Sequence, residues 1–200
     1  MTVPSVPGGD FEAIYAGTPP WDIGRPQNSF VRLAESGGIE GRVLDVGCGT
    51  GEHALLAAGL GLEVTGVDMA PSAIRQATEK ATERHLAAHF VEGNALALDE
   101  TIHGPFDTVL DCGLFHLFSD DERPVFVDNL RSVTARGGSY HMLCFSELQP
   151  GEWGPRRVTQ GEIRAAFADG WIVNSIEPAV LEITISPDGA RAWFAFLTKR

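Results

Sequence analysis

The sequence predicts an α/β protein, a mostly parallel sheet with helices on both faces and a C-terminal antiparallel hairpin, and three observations carry this. Apolar runs at residues 43–46, 63–68, 89–92, 106–111 and 139–145 alternate with helical patterns, and alternation demands right-handed crossovers between parallel strands. The first run passes directly into Gly47-Cys48-Gly49-Thr50-Gly51 and then into an Ala/Leu-rich stretch, a strand, a tight turn and a helix. After the last helical pattern, strand material at 180–185 and 192–198 flanks Pro187-Asp188-Gly189, a turn signal.

Taken in order, residues 1–9 are rich in Pro and Gly and predict no regular structure. Residues 10–16 predict a short helix with Phe11, Ile14 and Tyr15 as its apolar set, and 17–26 hold too much Pro and Gly for a regular element. Two readings of this arm stand. It caps a ligand, with Tyr15 and Trp21 covering it and Arg25 meeting a carboxylate, or it is a surface arm pinned by one buried Trp. Residues 1–40 are read as carrying this arm and 41–200 as the single domain proper.

A helix at 28–36 turns Phe30, Leu33 and Ala34 inward, and the helix at 52–60 is nearly all Ala and Leu and so packs on the sheet. The strand at 63–68 ends at Asp68, about 20 residues beyond the glycine turn, where α/β nucleotide sites place an acid on a ribose diol. The longest helix spans 71–88, opened by Pro71, with Ile74, Ala77, Ala81 and His85 on one stripe. The third strand ends at Gly93-Asn94-Ala95-Leu96. The fourth leaves the sheet at Asp111 and is followed by Cys112, Gly113 and two aromatics, Phe115 and Phe118, around His116, a composition suited to a dry pocket with one titratable group. Ser119 and Glu122 form a capping box for a helix to 135 that stops at Gly137-Gly138, and Thr159 with Glu162 caps another to 168. Strand material at 171–176 and 180–185 is interrupted by Pro178.

The glycine register separates cofactors. A dinucleotide fingerprint needs Gly-x-Gly-x-x-Gly at a helix N-terminus that faces a pyrophosphate. Here Glu52 stands where the last glycine would fall, and a negative side chain there suits a ligand without phosphates. The chain of 200 residues carries 27 acidic against 15 basic residues, net −12, with no basic cluster, which excludes nucleic acid as a natural partner. Cys48, Cys112 and Cys144 are an odd number beside apolar strands, reading as reduced core thiols and favouring the cytoplasm. No signal-peptide pattern and no long apolar run is present, so neither export nor a membrane span is predicted. No metal-ligand spacing appears, and oligomeric state is not legible.

Over residues 10–198, and above all at Val-Leu-Asp-Val-Gly-Cys-Gly-Thr-Gly, the sequence resembles the class I S-adenosylmethionine-dependent methyltransferases. The Pro-Trp-Asp stretch at 20–22 is similar to that of small-molecule members related to thiopurine and thiol methyltransferases, and this resemblance implies that the arm of residues 1–40 lies over the active site. The resemblance implies a Rossmann-like, seven-stranded sheet with ligands beyond the strand carboxyl ends. It implies S-adenosylmethionine contacts from Asp45, Gly47, Cys48, Gly49, Gly51 and His53 around the first turn, from Asp68 and Met69 after the second strand, and from Trp21 on the arm. Asn94 and Ala95 stand where the family usually offers an acid to adenine, and Asp111 with Cys112 completes the set.

For the acceptor, the candidates are Tyr15, Arg25, Phe115, His116 and Arg156. A phenol or heteroaromatic hydroxyl benefits from a base near neutrality, and His116 is the candidate by type and position, with a structural histidine as the other reading. A thiol is already partly thiolate and needs less help. Arg156 and Arg157 either hold an anionic group or are solvated. The run Asp111-Cys112-Gly113-Leu114 lacks the Asn/Asp-Pro-Pro-aromatic pattern of nucleic-acid and protein-amide N-methyltransferases. An NAD-dependent oxidoreductase conflicts with the glycine register, and a non-catalytic cofactor-binding module is the remaining alternative.

Overall fold

The computed structural model describes residues 11–200. The expectations for residues 1–9, and for Asp10 as the start of the first helix, lie outside the described residues. A short helix α1 (Phe11–Tyr15) and an irregular arm lead into α2 (Asn28–Glu35). Then follow β1 (Arg42–Val46), α3 (Glu52–Gly59), β2 (Glu63–Asp68), α4 (Pro71–Glu83), β3 (His89–Glu92), a 3₁₀ turn at Ala95–Ala97, α5 (Leu98–Thr101) and β4 (Phe106–Cys112). A second 3₁₀ turn (Phe115–Leu117) precedes α6 (Glu122–Val133), β5 (Thr134–Phe145), α7 (Gln160–Ala166), β6 (Trp171–Ile183) and β7 (Ser186–Lys199).

The seven strands form one sheet in the order β3-β2-β1-β4-β5-β7-β6. β1 to β5 are parallel, and β7 runs antiparallel to both its neighbours. The order reverses between β1 and β4, which opens a crevice at their carboxyl ends. Each face carries a core. One holds Leu44, Val109, Tyr140, Met142 and Trp193 under α5, α6 and α7. The other holds Phe30, Val43, Leu110, Leu143 and Leu181 under α2 and α3. Phe30 of α2 is fully buried against His53 and Phe194, so α2 belongs to the body of the sheet packing.

Several boundaries differ from the sequence reading, each for a local reason. α4 stops at Glu83 because His85 takes a positive φ of 54°. The amides of His85 and Leu86 close back on Thr82 and Ala81, the bonding of a Schellman cap. His85 is therefore exposed at a helix end, not on an apolar stripe. α6 gives way to β5 at Thr134, before Gly137-Gly138, and those glycines lie inside the strand. There β5 slips register against β4 between Phe106 and Thr108, and a Cβ on Gly138 would stand 3.1 Å from the Asp107 carbonyl. β6 runs unbroken through Pro178, which an edge strand tolerates. The reversal comes at residues 184–185, with Ile183 paired to Ser186, so Pro187-Asp188-Gly189 lies within β7.

Candidate active site

A cavity of about 1000 Å³ opens beyond the carboxyl ends of β1, β2, β3 and β4 and is roofed by the arm. Its floor is the glycine turn. Gly47, Gly49 and Gly51 hold φ of 67°, 52° and 85°, conformations open to glycine and costly for other residues. A Cβ on Gly49 would come within 2.6 Å of the Tyr15 hydroxyl, and one on Gly47 within 3.1 Å of Leu114. The turn thus presents bare backbone to the cavity.

Four of the turn's five amides are already spent. Gly47 and Cys48 donate to the Val67 carbonyl, Gly49 donates to Asp68 Oδ2 at 2.9 Å, and Gly51 donates to the Cys48 carbonyl. None of these remains to bind a pyrophosphate, which requires free N–H groups at this position. The reason read from Glu52 needs correction. Its buried carboxylate is paired with Lys80 Nζ at 2.9 Å and Arg84 Nη1 at 2.8 Å, so it offers no net charge to repel phosphate. Burial alone would raise the Glu52 carboxyl, but the hydrogen bonds from Arg84 and Lys80 outweigh it and hold it low.

Asp68 borders the cavity at the end of β2. Its two oxygens accept from the amides of Gly49 and Ala70, both at 2.9 Å, which fixes the carboxylate's orientation. Burial pushes this group up, against the backbone hydrogen bonds. Each oxygen retains a lone pair for a diol. Met69, Asn94 and Ala95 line the same side. The Asn94 side-chain oxygen accepts from the Leu96 amide at 2.9 Å and so also caps the 3₁₀ turn. An acid for a ribose and a bare glycine floor whose Gly47, Cys48 and Gly49 amides are engaged fit S-adenosylmethionine.

The roof comes from the arm. Trp21 Nε1 donates to the Tyr15 hydroxyl at 3.2 Å, with the rings edge to face. The arm is stitched to β6: the Gln27 side chain donates to the Glu182 carbonyl at 2.9 Å and accepts from its amide at 2.8 Å. Arg25 lines the cavity but forms a fork with Glu182, Nη2 to Oε1 at 2.6 Å, instead of waiting for a ligand carboxylate. His53 lines the cavity too, its Nε2 accepting from the Gln27 amide at 3.2 Å, and burial pushes it down to about 4.

His116 sits in the 3₁₀ turn after β4. Its Nδ1 accepts from the Phe145 amide at 3.0 Å, and its ring meets the Phe145 ring edge to face. Burial, with the positive Arg123 nearby, pushes the imidazole down to about 3. Cys112, Leu117, Phe145, Trp153, Leu181 and Ile183 line the cavity with it. Arg156 is a lining residue as well, but its guanidinium is bound to Asp120 at 2.7 Å and to Glu162. Arg157 folds its own loop, donating to the carbonyls of Gln149, Gly151 and Trp153.

Four of the residues read from sequence do not line the cavity: Asp45, Gly51, Asp111 and Phe115. Asp45 points behind the turn and accepts from the Ala54 amide at 2.9 Å, tying α3 to β1. Gly51 faces α4 and β3, where a Cβ would meet Ala77 and Phe90 at 2.8 Å. Asp111 turns to the opposite core, accepting from the amides of Leu114 and Phe115 and from the Tyr140 hydroxyl, so it braces the turn that carries His116. Phe115 is fully buried between Phe126 and Phe167. Strand-end position alone gives no side-chain direction, and alternation along β1 and β4 would have pointed both acids away. Gln27, Thr50, Trp153 and Ile183 were not read as site residues. Thr50 lies within the glycine turn itself, whereas the other three reach the cavity by long-range packing, which leaves no local signal. Among the described residues, no cluster of His, Cys, Asp or Glu is placed to hold a metal, and no helix is long and apolar enough to cross a membrane.

Residues 43–138 match the methyltransferase domain family. The chain is 34% identical over 168 residues to the 2-heptyl-1-hydroxyquinolin-4(1H)-one methyltransferase of Mycobacteroides abscessus, covering 83% of this chain and 74% of the relative. It is 30% identical over 142 residues to a probable thiol methyltransferase of Arabidopsis thaliana, covering 69% of this chain and 62% of that one. A solved structure reported for the conversion of a disulfide bond into a thioacetal group during echinomycin biosynthesis matches with a TM-score of 0.86 and 35% identity, covering 94% of this chain and 91% of that chain. The magnesium protoporphyrin IX methyltransferase of Synechocystis PCC 6803 shares the fold, with a TM-score of 0.68 at 19% identity, covering 86% and 76% of the two chains. A relative one-third identical over most of both chains, on this sheet order and around this glycine turn, shows that the chain belongs to the class I S-adenosylmethionine-dependent methyltransferases and acts on a small molecule.

Proposed function

We propose that the acceptor is a flat, largely apolar small molecule methylated on an acidic hydroxyl or a thiol. The observation that carries this is the composition of the cavity beyond β4. Its walls are Leu117, Phe145, Trp153, Leu181 and Ile183 around the His116 imidazole, while Arg25 and Arg156 are each neutralised by carboxylates. An apolar wall rewards burial of a ring at roughly 25 cal/mol per Å², and with no unpaired guanidinium there is little to anchor a carboxylate. The names of two relatives, one for a 1-hydroxyquinolin-4(1H)-one and one for thiols, agree with the two acceptor classes.

Gly47, Cys48, Gly49, Asp68, Met69, Asn94 and Ala95 would hold the cofactor, with Asp68 on the ribose diol. When bound, S-adenosylmethionine supplies an electrophilic methyl group on a sulfonium sulfur. The chain's task is to place the acceptor in line with that methyl and to exclude water. Tyr15, Trp21 and Ile23 of the arm close the site over the acceptor, and His116 meets its polar end. The free thiols Cys48, Cys112 and Cys144 suit a reducing compartment, the cytoplasm.

The test is turnover with S-adenosylmethionine, read as S-adenosylhomocysteine and methylated product by mass spectrometry. The panel is 1-hydroxyquinolin-4(1H)-one, 4-nitrothiophenol, glycine and 4-aminobenzoate. Methylation of the first two and not of the amines supports the reading; preference for an amine contradicts it.

A further inference from the structure

We infer that His116 serves the reaction as an Nε2–H donor to the methyl-accepting atom, and that the acceptor reaches the site already ionised. This rests on the acceptor class proposed above. The argument starts from one hydrogen bond. A backbone N–H can only donate, so the Phe145 amide, 3.0 Å from Nδ1, requires a lone pair there. In the neutral ring the proton must then sit on Nε2. That atom has no partner among the described residues and is not sealed in the interior, so it opens on the cavity that His116 lines.

A general base needs the reverse arrangement, a lone pair facing the substrate and a partner that stabilises the imidazolium. Neither is present. Among the charged and titratable groups on the elements beside the ring are Arg123 on α6, Asp111 and Cys112 on β4, and Tyr140 and Cys144 on β5. Of these, Arg123 acts on the imidazole and opposes a second proton on it. Asp111, the nearby carboxylate that could have oriented an imidazolium, is spent on Tyr140 and two amides.

The rest of the cavity supplies no base near neutral pH either. Its carboxylates are committed: Asp22 to Thr50, Glu52 to Lys80 and Arg84, Asp68 to two amides and Glu122 to Ser119. Burial pushes the Tyr15 hydroxyl and the Cys112 thiol up, so neither is an anion, and the His53 lone pair is taken by Gln27.

The acceptor's proton is therefore lost to bulk water before binding. A bond forms from the acceptor anion's lone pair to the methyl carbon while the bond from that carbon to the sulfonium sulfur breaks, its electron pair staying on sulfur. An anion and a cation become two neutral products, and no proton moves on the protein. The Nε2–H fixes the anion's position, and its hydrogen bond to a charged partner is one of the stronger kinds.

Two measurements test this. Imidazole ¹⁵N NMR of the cofactor-free protein, followed between about pH 5 and pH 9, should show His116 with a bare Nδ1, a protonated Nε2 and no titration. An Nδ1–H tautomer or a titration in that range would overturn the inference. Second, turnover is compared for H116Q and H116A with 4-nitrothiophenol, which is ionised at neutral pH. Glutamine keeps an N–H near the Nε2 position but cannot act as a base, so H116Q should stay within about tenfold of wild type while H116A falls by a further order of magnitude or so. Equal losses would overturn the donor role. The pH profile of kcat/KM should move with the acceptor's own acidity when 4-nitrothiophenol is replaced by 4-methylphenol. A profile fixed by the enzyme would overturn the inference alone, whereas no turnover of any ionised acceptor, with S-adenosylhomocysteine still bound, would overturn the acceptor class as well.

Discussion

The amide of Gly49 donates to Asp68 Oδ2 over 2.9 Å, joining the turn after β1 to the acid at the end of β2. Two features that a sequence presents about 20 residues apart are thus one object: the carboxylate shapes the glycine floor proposed above to hold the cofactor. Replacing Asp68 removes both the proposed ribose acceptor and this brace. Asp68→Ala should weaken S-adenosylhomocysteine binding by about 1 to 3 kcal/mol, and Asp68→Asn by less, because an amide oxygen can still accept from Gly49. Isothermal titration of the two variants checks the order.

Gln27 should matter to the site through the bonds of its side chain to β6. Its amide group pairs with both backbone groups of Glu182, as a neighbouring strand would. Gln27→Ala leaves that N–H and C=O unpaired and frees the arm, at about 1 to 3 kcal/mol. Limited proteolysis should then cut within residues 16–26 at a rate wild type does not show, and acceptor KM should rise.

Asp45 makes stability depend on pH. Burial, partly opposed by the Ala54 hydrogen bond, pushes its carboxyl up to about 7, against an ordinary 3.8. A raised carboxyl binds more protons folded than unfolded between those values. Its contribution is full below about pH 4 and is lost as pH rises through about 7, a few kcal/mol at most. Asp111, raised to about 7 by burial as well, acts in the same window. Asp45→Asn removes the first contribution, so urea denaturation should show the variant gaining on wild type from about pH 5 to pH 8. A constant gap would refute it.

Tyr140→Phe separates support of the turn from contact with ligand. The hydroxyl donates to Asp111 Oδ2 at 2.6 Å, and neither residue lines the cavity. Its loss should lower stability by about 1 kcal/mol and reduce kcat while S-adenosylhomocysteine affinity stays as it was. A change in cofactor affinity would mean that Asp111 also supports the first turn.

Much of this was legible in the chain because it is local. The run from Val43 to Gly51 fixed a strand, a turn and a helix, and Asp68 at the end of β2 and His116 in the turn after β4 both reach the cavity. What misled was direction and register. Asp45 and Phe115 have the right place in sequence but face a core, and Glu52 has the right charge but lies against Lys80 and Arg84 from another helix. Pro187-Asp188-Gly189 has turn composition, yet the pairing of Ile183 with Ser186 sets the reversal earlier. Arg25 and Arg156 look like anion holders until their carboxylates, distant in sequence, are seen beside them. Each error concerns a partner brought in by the fold.

The central claim, a glycine-and-acid cradle for S-adenosylmethionine, is tested most directly by calorimetric titration of the protein with S-adenosylhomocysteine, with NAD as the control. Saturable one-to-one binding of the first, weakened in Asp68→Ala, and none of the second is the predicted result. Binding of NAD, or silence toward S-adenosylhomocysteine, would contradict it.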